Sequence, residues 1–227
     1  MRVASDPAFV ALHVVRVRGV TATPEIAAAT GLAVATVDAV MTTHQAHDLV
    51  TLRTGNLAGW ALTRFGRDED ARLCAVELDG DGLRATVEER YHRFLVLNPQ
   101  LLRLCTDWQL HPPADNKTPP EPNRHDDAVY DAEVVERLAK VDGDAQVICA
   151  ELADALARFG NYGHRLAAAR VRVEAGEHDW MTKPMIDSYH SVWFELHEDL
   201  LATLGIERGS EPPPAGGRQN TVEDDES

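Results

Sequence analysis

Apolar residues recur every three or four positions along most of the chain, the period of a helix that turns one face to a core. Phe9, Leu12 and Val15 fall at that spacing and predict a helix over 7–17 that stops near Gly19. In the run Thr23-Pro24-Glu25-Ile26-Ala27-Ala28-Ala29-Thr30-Gly31, Thr23 is placed to cap a second, two-turn helix. Pro24 suits its first position, Glu25 its positive end and Gly31 its stop. A third helix over 34–46 carries Val34, Val37, Met41 and His44 on one face. The period then changes to two. Val50 and Leu52, then Trp60 and Leu62, flank the turn Thr54-Gly55-Asn56 and predict a two-stranded hairpin, after which Thr63 is placed to cap a helix through Leu78.

Beyond residue 80 the helical period returns over 82–98, restarts at Pro99, and recurs over 129–141, 145–159, 162–176 and 186–204. Residues 111–127 hold five prolines among polar residues and read as an irregular loop. Residues 207–227 are rich in Pro, Gly and acids, with almost nothing to bury, and read as a disordered tail. The expected fold class is mainly α: a 1–67 module of two short helices with a tight glycine turn and a hairpin, a helical domain over 68–206, and the tail.

A length of 227 residues with 44% hydrophobic content suffices for two modest cores. The net charge of −15 excludes a protein that coats nucleic acid. That charge is unevenly spread, with six arginines and four acids in 1–67 (+2) and the remainder at −17, so a DNA-facing surface belongs to the first part. No apolar run approaches the roughly 20 residues that span a bilayer, and the start has no leader pattern. A soluble protein of the cytoplasm, without membrane contact, is expected. Cys74, Cys105 and Cys149 are widely spaced within apolar patterns and predict free, buried thiols in a reducing compartment.

The order helix, TPEIAAATGL, helix, LVTLRTGNLAGWALTRFGR resembles the winged helix-turn-helix of MarR-type and related bacterial regulators, over little more than a quarter of the chain. The resemblance implies that the third helix meets base edges in the major groove of double-stranded DNA, through Ala35, Thr36, Asp38, Thr42 and Thr43. Arg53 in the wing, with Arg16, Arg18 and Arg64, supplies phosphate contacts in this reading. The helix is poor in donors, because no Arg, Lys or Asn lies between Pro24 and Leu52.

In the last helix His190, Trp193, Phe194 and His197 fall at i, i+3, i+4 and i+7, one turn after Asp187. With Cys105, Asp107 and Trp108 from another helix, they are the materials for a small-molecule pocket with aromatic walls. Packing accounts equally for several of them, and Trp193 and Phe194 read best as core. The two imidazoles stand roughly 10 Å apart along a helix, too far to share one ion. Asp187 with His190 is the better-spaced pair, similar to the Asp and His that hold metal in the helical effector domains of GntR-class regulators, but no third ligand is evident, and neither metal nor cofactor is assigned. Adjacent acids such as Glu198-Asp199 read as solvated faces, and no nucleophile elbow, zinc-protease or phosphate-loop motif is present, so no catalytic residue is assigned.

These features predict a homodimeric DNA-binding regulator whose helical domain dimerises, senses a small-molecule effector, or does both, an effector changing the spacing of the two recognition helices. Two rivals stand beside it. One is an adaptor whose winged helix contacts a protein, and the other is a metal-dependent sensor or enzyme in the helical domain.

Overall fold

The computed structural model describes residues 5–80, 82–112 and 119–209. Among them the chain is mainly helical, with two small antiparallel sheets of two strands each. Helix α1 (Pro7–Arg18) starts where the Asp6 side chain accepts from the Ala8 amide and Pro7 takes a position that needs no donor. Helices α2 (Thr23–Thr30) and α3 (Val34–Ala46) follow, their axes bent by 113° across a break at Gly31, which closes α2 in the left-handed conformation. The strands β1 (Val50–Arg53) and β2 (Gly59–Leu62) pair with Val50 opposite Leu62 and Arg53 opposite Gly59. A single bridge from Thr21 to Trp60 extends this hairpin toward the loop between α1 and α2.

Helix α4 (Arg64–Leu78) runs through the expected domain boundary at residue 67. Near its middle Leu73 packs on a first hydrophobic cluster formed by Leu12, Ile26, Val37, Met41, Val50 and Trp60. Its last residue, Leu78, belongs to a second and larger cluster. That cluster is built by α5 (Leu83–Gln109), α6 (Ala128–Ala155), a 3-10 turn (Ala157–Asn161), α7 (Tyr162–Glu174), the short α8 (Asp179–Thr182) and α9 (Tyr189–Leu204). The strands β3 (Leu110–His111) and β4 (Glu121–Pro122) form a minimal hairpin inside the stretch expected to be irregular. All three cysteines are buried and free, as their setting predicts, and burial pushes the Cys105 and Cys149 thiols up to about 12. No single described helix is long and apolar enough to cross a membrane.

Several local expectations are corrected. Thr23 is the first residue of α2 and not its cap. Ala22 takes the cap position, and the Glu25 carboxylate accepts from its amide at 3.0 Å. Val34 leaves the buried face and is exposed, while Val37, Met41 and His44 stay on it. Pro99 does not interrupt α5, which is continuous through it, and Gly143 does not divide α6. The reason is tertiary: α5 and α6 pack along each other, and Tyr91, Phe94, Leu101, Leu138, Ala145 and Leu152 must all reach one core. Ser188 caps α9, which therefore starts three residues later than the periodicity suggests. Phe194 is not core but 48% exposed, under the Arg208 guanidinium at 4.6 Å. The predicted tail lies outside the described residues from 210 on.

Gly66 shows how tightly α4 is set against the first unit. The Thr63 hydroxyl accepts from the Gly66 amide at 3.0 Å and donates to Asp48 O at 2.6 Å. A Cβ on Gly66 would stand 1.9 Å from the Leu49 carbonyl oxygen, which is backbone and cannot rotate aside. Gly66→Ala is therefore expected to cost about 1–3 kcal/mol, read as a lower urea midpoint at unchanged slope. An unchanged midpoint would show that the contact is not rigid.

Candidate nucleic-acid interface and the buried junction behind it

Helix α3 is held from behind. His44 Nε2 lies 2.9 Å from the Ala8 carbonyl of α1, and Val37 and Met41 are fully buried beneath it. The opposite face is bare: Ala35, Thr36, Asp38, Ala39, Thr42 and Thr43 are all exposed. The hairpin beside it is fixed by Trp60, whose indole N–H donates to the Thr23 hydroxyl at 3.0 Å, while its backbone exchanges two hydrogen bonds with Thr21. That approach requires Gly59, where a side chain would meet the Thr21 carbonyl carbon at 2.8 Å.

The chemistry of this face is sparse. Thr42 donates its hydroxyl hydrogen to Asp38 O at 2.7 Å and Thr43 to Ala39 O at 3.0 Å, so both offer mainly acceptor capacity outward. Arg53 and Arg64 are exposed, at the end of β1 and the start of α4. The other two arginines are placed differently. Arg18 donates to Glu195 of α9 at 2.9 Å, and half-buried Arg16 lines a groove with Glu198 and Leu201 of the same helix. Both lie on the side of α1 that packs against α9, and α9 is invisible to a reading of the first 67 residues alone.

The residues read as one pocket separate into three places. Asp107 accepts from Arg137 at 2.8 Å, and the neighbouring Trp108 is buried against His125. Asp187 is committed to Arg165 through both oxygens, each at 2.9 Å, and Arg165 also holds both oxygens of Glu195. Trp193 and His197 enter the core against Phe94, with the Trp193 indole donating to Asn98 at 2.9 Å. His190 is half-buried, and burial lowers its pKa.

The residues that join the two units carry the densest chemistry, and sequence reasoning missed most of them. His13, on the inner face of α1, points Nδ1 at Asp70 of α4 (2.8 Å) and Nε2 at Asp199 of α9 (3.0 Å). Arg158, from the 3-10 turn, donates to Asp199, to Glu77 of α4 at 2.9 Å and to Thr203 at 2.6 Å. Tyr162 donates to the second Asp199 oxygen at 2.8 Å. Asp199 is thus no solvated acid, although it was so placed by its neighbour Glu198; it is 4% exposed. The one available signal was His13 itself, an imidazole between Leu12 and Val15 on an otherwise apolar helix face.

Burial and the Arg158 charge both disfavour a protonated His13, but Asp70 and Asp199 outweigh them and hold its pKa well above the ordinary value. For Asp199, burial is likewise outweighed by Arg158 and His13, and its carboxyl stays well below the usual carboxylate range. A protonated His13 makes both ring nitrogens donors, so its 3.0 Å approach to the Arg158 guanidinium is two cations converging on one carboxylate and not a hydrogen bond between them. Beside this cluster a cleft of about 290 Å³ opens between α1 and α2 on one side and α7 and α9 on the other, lined by Val14, Arg18, Ala29, Asn161, Arg165 and Glu195 among others.

Comparison with protein-family models, with curated proteins and with solved structures finds no match.

The junction predicts a two-sided pH profile. The His13 contribution is complete below its unfolded pKa of about 6.5 and is lost as pH rises through its higher folded value. The Asp199 contribution is complete above about 3.9 and is lost as pH falls through its lower folded value. Asp199→Asn should cost about 3–5 kcal/mol near neutrality, because it removes the carboxylate shared by two buried cations, Arg158 and His13, that stand 3.0 Å apart. Urea denaturation across pH checks both. A variant as stable as the parent, with the same pH profile, would contradict the assignment.

Proposed function

We propose that the chain is a cytoplasmic, DNA-binding transcriptional regulator in which about residues 5–67 form a MarR-like winged helix-turn-helix. In this reading α2 and α3 are the helix-turn-helix, α3 lies in the major groove of double-stranded DNA, and the β1–β2 hairpin is the wing. The observation that carries the proposal is the bare outer face of α3, presented at 113° to α2 beside a hairpin that Trp60 locks in place. An exposed helix backed on its other side by a packed three-helix unit is what entry into a groove about 12 Å wide requires.

Ala35 and Thr36 sit where thymine methyls and base edges come within reach, and Asp38 is an acceptor for a cytosine amine. Arg53 and Arg64 supply phosphate contacts. Because so few cations face outward, one copy binds weakly, and a homodimer that joins two α3 helices raises the affinity without adding contacts per chain. The helical unit provides dimerisation and effector response in this account. The cleft between α1–α2 and α7–α9 is the place where a small polar effector would shift one unit against the other.

Titration against duplexes from the gene's own upstream region and against an unrelated duplex, at several salt concentrations, tests the proposal. Preferential binding that weakens with salt is expected, with Arg53→Ala reducing the salt slope by about 1. Asp38→Asn is expected to raise affinity for the unrelated duplex, by removing a repelled charge. Absence of binding even at low salt would overturn the DNA reading in favour of a winged helix that docks on a protein.

A further inference from the structure

We infer that the helical unit carries a binding site for a divalent transition-metal ion of the zinc class, formed by His125, Asp131 and His178. One potential ligand atom from each of the three lies within 4.8 Å of the others. His125 Nδ1 and Asp131 Oδ2 are 3.0 Å apart, near the roughly 3.4 Å that two ligands keep around a tetrahedral ion with bonds of about 2.1 Å. The His178 ring is tilted at 43° to that of His125 with 4.1 Å between centroids, and its side chain reaches the site from the exposed side. Two imidazoles and one carboxylate are a donor set suited to zinc or a neighbouring first-row ion, with a fourth position left for water or an added ligand.

Three further features point to a built site. Asn123 acts as a hub: its amide donates to Asp131 Oδ1 at 2.9 Å and to Trp108 O at 3.2 Å, while its oxygen accepts from the His125 amide at 3.0 Å. It thereby orients the carboxylate so that Oδ2 faces His125, the outer-shell arrangement that fixes metal ligands. His125 is held at a φ of 56°, a left-handed conformation that few side chains adopt and that the Asn123 contact sustains. Trp108 forms a wall, 4.6 Å from the His125 ring, and its indole donates to the His178 carbonyl at 3.2 Å.

The electrostatics favour a cation. The site opens into a surface cleft whose other charged lining residues are Glu136 and Glu174, with no Lys or Arg among its lining residues. The other grouping of this kind among the described residues, His13, Asp70 and Cys74, is sealed in the interior beside the Arg158 guanidinium, which already supplies the positive charge. Bound metal would fasten three separate pieces of chain: the loop before α6, the first turn of α6, and the connection between α7 and α8.

The test uses the full chain, stripped with a chelator and titrated with Zn²⁺ alone by calorimetry and with Co²⁺ alone by its visible absorption. One equivalent per chain is expected, with Co²⁺ showing the intense bands of a four- or five-coordinate site. Because His178 is exposed, His178→Ala folds normally and should lose the metal. Asp131→Asn should do the same, and Asn123→Ala should weaken affinity about 10–100-fold as a positioning residue. The exposed His92→Ala is the control and should bind as the parent does. No uptake by the parent, or uptake unchanged in both His178→Ala and Asp131→Asn, would overturn the inference.

Discussion

The relation between the two hydrophobic clusters is governed by one buried carboxylate. Asp199 receives hydrogen bonds from His13 of the first unit and from Arg158 and Tyr162 of the second, while Arg158 and His13 reach on to Glu77 and Asp70 of the connecting helix. Removing such groups from water costs several kcal/mol per charge, and only complete, well-aimed pairing offsets it. The cluster therefore adds little net stability over an apolar interface of the same shape. It adds direction: an apolar contact tolerates sliding, whereas these charges are satisfied in one arrangement. The N-terminal unit, and with it the exposed face of α3, is held at a defined angle to the helical unit by this junction.

That rigidity matters for the functional reading. A recognition helix is useful to a regulator only if its orientation answers to the rest of the molecule. The cleft next to the junction is lined by Arg18 and Glu195, which pair across the two units at 2.9 Å. In the proposed reading, a ligand there would compete with the contacts that set the angle. The metal site lies elsewhere, at the far end of α5, where it would stiffen the helical unit without touching the junction.

Legibility in the sequence followed the range of the deciding interaction. The first four helices and the hairpin were readable because caps, glycine stops and period changes are local, and α4 begins after Thr63 as the sequence indicates. Pro99 and the break expected between 141 and 145 misled because local signals were overruled by the packing of α5 on α6, and Asp142 within that stretch is tied down by Arg170 and Tyr189 from α7 and α9. The pocket assembled from Asp107, Trp108, Asp187, His190, Trp193 and His197 came apart because equal helical spacing says nothing about which neighbour a face meets. Trp108 packs against two imidazoles, but they are those of His125 and His178, from loops separated from it in sequence. His13 was passed over for a similar reason, since its carboxylate partners are 57 and 186 residues away.

The most direct test of the account is amide hydrogen exchange of the full chain with and without a bound upstream duplex. The account predicts slowed exchange over α3 and the β1–β2 hairpin, with α5 and α6 unchanged at the same protein concentration. Protection confined to the helical unit, with α3 and the hairpin exchanging as in the free protein, would contradict it.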